Sequence, residues 1–121
     1  MFIDTHVHCR DGKQAYKETV AHALSVAYRV GVSAIANVGN GDPSVVDEES
    51  LKFYLDKSDQ ASSPVKFFQW MGITSEPKQI EEAIRLWHKY PEIIGFKMFA
   101  GHSVGDLGII DRKKQRLSLK L

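Results

Sequence analysis

The chain has 121 residues, 43% hydrophobic and 26% charged, which is the composition of a globular domain with a core and excludes a disordered or fibrous chain. That length suits one ordinary domain and falls short of the about 250 residues that a closed (β/α)8 barrel takes. With 16 Lys+Arg against 15 Asp+Glu the formal net charge is +1, so no global field gathers nucleic acid or an anionic membrane, and function must rest on specific sites.

Short apolar runs rich in β-branched residues alternate with segments patterned at the helical period, the rhythm of a parallel α/β protein. The runs predict strands over Met1–His8, Ser33–Val38, Val65–Met71 and Ile93–Phe99. Tyr16, Val20, Ala23, Leu24 and Ala27 predict the buried face of a first helix, with Gly31 at its left-handed cap. A second helix is expected to begin near Asp42–Ser44 with Pro43 in its first turn, burying Leu51, Tyr54 and Leu55 before the polar Ser58–Ser63 segment returns the chain to the sheet. Pro77 opens a third helix, Ile80, Ala83, Ile84 and Trp87 share its face, and Tyr90-Pro91 stops it. Residues 111–121 carry Arg112, Lys113, Lys114, Arg116 and Lys120 and fit neither a completed helix nor a fifth strand, so they read as a basic, solvated tail. The domain expectation is therefore βα units over 1–110 and a separate tail over 111–121.

The single cysteine, Cys9, allows no internal disulfide. No stretch approaches the roughly 18 apolar residues of a membrane span, and Asp4 and His6 interrupt the N-terminus where a signal peptide is apolar. A cytoplasmic protein is the expectation.

The most specific signal lies in the first strand. Side chains alternate across a strand, which predicts Asp4, His6, His8 and Arg10 on one face and Ile3, Thr5, Val7 and Cys9 on the other. Such a polar row on a buried strand is costly unless it binds something. Two histidines at i and i+2 can place two imidazole nitrogens on one metal, and Asp4 could orient a ligand from behind. Arg10 sits at the carboxyl end of the strand, where parallel α/β folds place their chemistry, and its forked donors suit a substrate carboxylate. Cys9 reads as a small apolar residue beneath the helix layer, and His22 and His88 as helix-surface residues. In the fourth strand, burial of Lys97 within an apolar run favours its neutral amine.

The segment Asp4-Thr5-His6-Val7-His8-Cys9-Arg10-Asp11-Gly12 resembles the opening motif of the dihydroorotases, within the amidohydrolase superfamily of metal-dependent barrels. Gly31-Val32-Ser33-Ala34-Ile35-Ala36-Asn37-Val38-Gly39-Asn40 resembles the family's second βα unit, with Val38-Gly39-Asn40 in place of a Met-Pro-Asn-like turn. The Gly95-Phe96-Lys97 segment is similar to the one that carries a carboxylated lysine in these families. The resemblance covers nearly all of Met1–Ile110. It implies four units, roughly half, of a TIM-like (β/α)8 barrel, and a zinc-dependent cyclic amidohydrolase that interconverts L-dihydroorotate and N-carbamoyl-L-aspartate in pyrimidine biosynthesis. It further implies His6, His8 and carboxylated Lys97 as ligands in a two-zinc site, with Arg10 and Asn40 as substrate-binding groups. The family pattern takes two further histidines and an aspartate from later strands, so the chain reads as the N-terminal half of such an enzyme, and His102 in the Ala100–Ser103 loop is not assigned to that set. The implied partner is a small-molecule substrate, with no nucleic acid or membrane, and a second copy or complementary chain could cover the open edges. Hydantoinase-like amidases, phosphoesterase or deoxyribonuclease-type metal hydrolases, and a non-catalytic metal- or partner-binding fragment are the alternatives.

Overall fold

A computed structural model describes residues 1–102 and 107–120, leaving Ser103 of the loop and Leu121 of the tail outside the described residues. The elements follow in order as β1 (Phe2–Val7), α1 (Val20–Arg29), β2 (Val32–Asn37), α2 (Glu48–Ala61), β3 (Lys66–Gly72), α3 (Pro77–Lys89), β4 (Ile93–Lys97) and α4 (Arg112–Ser118). All strand pairs are parallel and the sheet order is β1-β2-β3-β4. A doubly wound sheet reverses its order at a switch point; this one does not. With crossovers of one hand and strands added in one direction, the helices gather on one face, and the four units form an open arc of a TIM-like barrel.

The core lies between sheet and helices, where Ile35, Phe67, Met71 and Ile93 meet Leu24, Leu51, Tyr54, Ile80 and Leu86. Burying each such large side chain contributes about 1.5–3 kcal/mol. At the edge of the arc Phe2 and Ile3 remain 73% and 56% exposed.

Local chemistry explains where the elements depart from the sequence expectations. Tyr16 is 81% exposed and lies ahead of α1, because Thr19 caps the helix by accepting from the His22 N–H. Gly31 holds the left-handed turn after α1, with φ at +80°. The second helix starts at Glu48 and not near Pro43: Asp47 accepts from the Ser50 N–H while the Ser50 hydroxyl accepts from the Asp47 N–H, a capping box. Residues before it serve the sheet instead, since Val45 N–H donates to Gly39 O and Gly72 N–H donates to Val45 O. The polar segment that begins at Ser58 is the last turn of α2, which ends on left-handed Ser62. In α3 Ile80, Ala83 and the unanticipated Leu86 are buried, whereas Trp87 stays 47% exposed with its ring edge against Phe96. Residues 112–118 form a helix, contrary to the tail expectation; Asp111 caps it by accepting from the N–H groups of Lys113 and Lys114. Its Ser118 hydroxyl donates to Thr74 O, which pins it to the loop after β3. Seven residues are too few to show a helical period, so the cap was its only strong sequence signal.

Glu48 joins α2 to α3. Its carboxylate takes Lys89 Nζ at 2.6 Å, the Tyr90 hydroxyl at 2.6 Å and Arg85 Nη2 at 3.1 Å. These hydrogen bonds, that from Lys89 foremost, hold the carboxyl at about 2, below its ordinary 4.5. A depressed folded-state value means that the contribution to stability is present above about pH 4.5 and is lost as the pH falls toward 2. Glu48→Gln is therefore expected to lower the thermal midpoint at neutral pH, with the gap to the wild type closing through that window. A gap independent of pH would show that the carboxylate charge is not what joins the helices.

Candidate active site

The site grows from a fault in β1. Asp4 is registered with Ile35 but Val7 with Asn37, so three steps along β1 run against two along β2. One residue is extra, as in a bulge, and strict alternation fails there. Asp4 and Val7 come to share a cleft with Val26 and Ile35 on the α1 side, while the rings of His6 and His8 meet edge to face, with centroids 5.1 Å apart. Asp4 touches the pair through the backbone, its Oδ1 accepting from the His6 N–H at 3.0 Å.

Two contacts that the sequence reading missed hold this strand end in place. Trp70 on β3 donates its indole N–H to Thr5 O on β1, two strands away, at 3.0 Å. The same ring lies so close to Gly95 of β4 that a Cβ there would sit 2.8 Å from it, which is why this position of β4 takes no side chain. Below the His8–Arg10 turn, the fully buried Asn37 accepts from the Cys9 N–H at 2.8 Å and donates to Gln69 Oε1 at 2.9 Å. Gln69 Nε2 in turn donates to Asn37 O and Trp70 O. Two amides inside otherwise apolar runs, at registered positions of neighbouring strands, were the available signal.

His8, Arg10 and Asn40 come together at the carboxyl end of β1. His8 Nδ1 and Asn40 Oδ1 are 3.0 Å apart, and since an amide oxygen only accepts, this pair makes a hydrogen bond when the imidazole carries a proton on Nδ1. Arg10 Nη1 donates to Asn40 O at 2.8 Å, and its Nη2 approaches His8 Nδ1 at 3.4 Å, a contact between two donors that makes no bond while Nδ1 is protonated. Burial pulls the His8 imidazole below its ordinary value against the opposing hydrogen bond to Asn40, and the charges of Arg10, His6 and Lys97 act with burial.

Lys97 projects from the edge strand β4 and is half-buried, with Nζ 5.9 Å from the centre of the Phe99 ring. This corrects the expectation of a fully buried lysine: β4 has a neighbour on one side only. Cys9 is buried in the core, as anticipated, and burial pushes its thiol up to about 12. Asp11 does not pair with Arg10; its carboxylate accepts from the Val20 N–H at 2.6 Å, at the start of α1. His22 pairs with Glu18 on the surface, His88 lies against Trp87, and His102 is exposed.

No group of three His, Cys, Asp or Glu side chains stands ready for a metal ion among the described residues. The adjacent rings of His6 and His8, the latter with its Nε2 free of the Asn40 contact, are of the type and proximity to supply two positions of a first-row divalent ion. A cleft of about 740 Å³ lies at the opposite, amino end of the sheet among Lys52, Asp56, Asp59, Lys66 and Glu92. It holds no histidine, and parallel α/β folds place chemistry at the carboxyl ends of their strands, so the cluster at His8 is the better candidate. No described helix is long and apolar enough to cross a membrane.

Comparison with known proteins gives a uniform result. No family model matches the chain. Over 91 residues it is 34% identical to a dihydroorotase of Sulfolobus acidocaldarius, covering 74% of this chain and 23% of that protein. Over 97 residues it is 33% identical to a dihydroorotase of Saccharolobus solfataricus, covering 80% and 23%. A 50-residue match to a dihydroorotase of Pyrococcus horikoshii reaches 40% identity over 41% of this chain and 12% of that protein. The chain thus spans less than a quarter of the curated relatives it matches.

The buried Cys9 thiol gives a direct check on how this strand end packs. It is expected to resist an aromatic disulfide reagent in the native protein and to react fully once the chain is unfolded. Rapid stoichiometric labelling under native conditions would contradict the burial.

Proposed function

This chain belongs to the dihydroorotase family by sequence over most of its length, and from that premise we propose that it supplies the first part of a zinc-dependent cyclic amidohydrolase site acting in pyrimidine biosynthesis. The observation that carries this reading is the meeting of the His6 and His8 rings at the carboxyl end of β1, beside Arg10 and Asn40. The reaction is the reversible hydrolysis of L-dihydroorotate to N-carbamoyl-L-aspartate.

In this reading His6 and His8 would hold one zinc, and Lys97, as its carbamate, would be a ligand of a second. The carbamate forms when the unprotonated amine adds to carbon dioxide, making an N–C bond and releasing one proton. Bound zinc supplies Lewis-acid polarisation of the ring amide carbonyl and activation of water near neutral pH. The remaining tasks fall to side chains of this chain. Arg10 offers its guanidinium to the substrate carboxylate, and the Asn40 amide Nδ2 adds a donor at the same mouth, so that the scissile amide is held against the histidine pair. Asp4 steadies His6 through its peptide N–H. The family's remaining ligands belong to later strands, so turnover is expected only when complementary strands complete the site.

Zinc titration followed by dihydroorotate hydrolysis with bicarbonate present tests the proposal. His6→Ala is expected to weaken zinc binding by more than about 100-fold, since loss of mere outer partners of a ligand costs about 10–100-fold. In the completed site it should abolish turnover as well, whereas Arg10→Ala should chiefly raise KM. Zinc binding unchanged in His6→Ala would overturn the ligand assignment.

A further inference from the structure

The contacts around Asn40 carry a role beyond substrate binding. Asn40 is 5% exposed, and it follows the turn that leaves β2. Its backbone carbonyl is held by Arg10 Nη1 at 2.8 Å, and its side-chain oxygen faces His8 Nδ1 at 3.0 Å. An imidazole has one proton to share between two nitrogens in its neutral form, and the partner of one nitrogen decides which of them is left with a lone pair. We propose that Asn40, anchored by Arg10, is the positioning residue that holds the His8 proton on Nδ1 and thereby presents Nε2 to a metal.

Three features of the arrangement support the assignment. The acceptor is an amide, whose oxygen stays an acceptor at every pH, so the tautomer it selects is the same throughout the range in which His8 is neutral. The Asn40 peptide is tied back to β1 by Arg10, two residues from the ring it orients, so strand end and loop fix each other. The two carboxylates nearest in sequence are engaged elsewhere, Asp11 by the Val20 N–H and Asp4 by the His6 N–H, which leaves the orienting contact on His8 to Asn40. The division of labour within one amide is then complete: Oδ1 serves the ligand, and Nδ2 remains a donor at the mouth.

The inference rests on the zinc reading for its purpose but not for its geometry, and the test separates the two. Nitrogen-15 NMR of histidine-labelled protein reports the tautomer of His8 directly, and zinc titration of the same samples reports affinity. The wild type is expected to show the Nδ1–H tautomer at His8. Asn40→Ala should give the tautomer mixture of an unconstrained ring and lower zinc affinity about 10–100-fold, the usual effect of removing a ligand's outer partner. Asn40→Asp keeps an acceptor oxygen and should restore the tautomer and most of the affinity, which a merely structural asparagine would not do. An Nε2–H tautomer at His8 in the wild type would overturn the proposal without recourse to any variant. Equal zinc affinity in wild type and Asn40→Ala, despite a changed tautomer, would overturn the link from Asn40 to metal. Zinc failing to bind the wild type while the tautomer follows Asn40 as expected would sink the zinc reading and support the positioning role.

Discussion

Where a parallel sheet stops pairing, its backbone groups lose their partners while still buried, and in this arc side-chain amides replace those partners. Each unpaired buried polar group would cost about 1–3 kcal/mol, so the replacement is a condition of folding. Asn37 and Gln69 close the ends of β1, β2 and β3, between them meeting Cys9 N–H, Asn37 O and Trp70 O. Gln79 does the same one unit further on, accepting from the Thr74 N–H and donating to Val46 O and Gly72 O. The amides also set where the loops go. Asn37 grips the peptide between His8 and Arg10, so the spacing of these two side chains is inherited from β2 and β3.

The bulge in β1 follows from the same end condition. An inserted residue lets Asp4 and Val7 both turn toward α1 while the two imidazoles stay together, and it leaves Thr5 O to be met by Trp70. That indole reaches past β2 to β1, and its ring has room beside β4 because position 95 has no side chain. Bulge, indole and glycine are thus one device. Trp70 links the first strand to the fourth across the face that a barrel would enclose, and the histidine pair stands at its rim.

Much of this was legible in the sequence, and the exceptions share a cause. The four strands, α1 and α3 were readable because burial on a single face imposes a period. The adjacency of the His6 and His8 rings and the burial of Cys9 were readable from residue type and place along the first βα unit. The start of α2 was misplaced because Pro43 suits a turn as well as a first helical turn, and the decisive partners, Asp47 and Ser50, signal a cap only jointly. The bulge, the Trp70–Gly95 contact and the amide ladder depend on what lies opposite in a neighbouring strand. No period along one chain segment records that. Asn37 and Gln69 left a trace, two amides in apolar runs, but their meaning required the register between β2 and β3.

The two sides of the proposed zinc pair differ in how far the arc prepares them. His8 receives its orientation from Asn40, its backbone support from Asn37 and its partial burial from the loop after β2, all within the described residues. Lys97 receives less. It stands on a strand that, among the described residues, is paired on one side, with its Nζ 5.9 Å from the centre of the Phe99 ring. The turn that carries His8 is therefore held by side chains from β2 and the loop after it, whereas Lys97 stands on a strand that, among the described residues, is paired on one side.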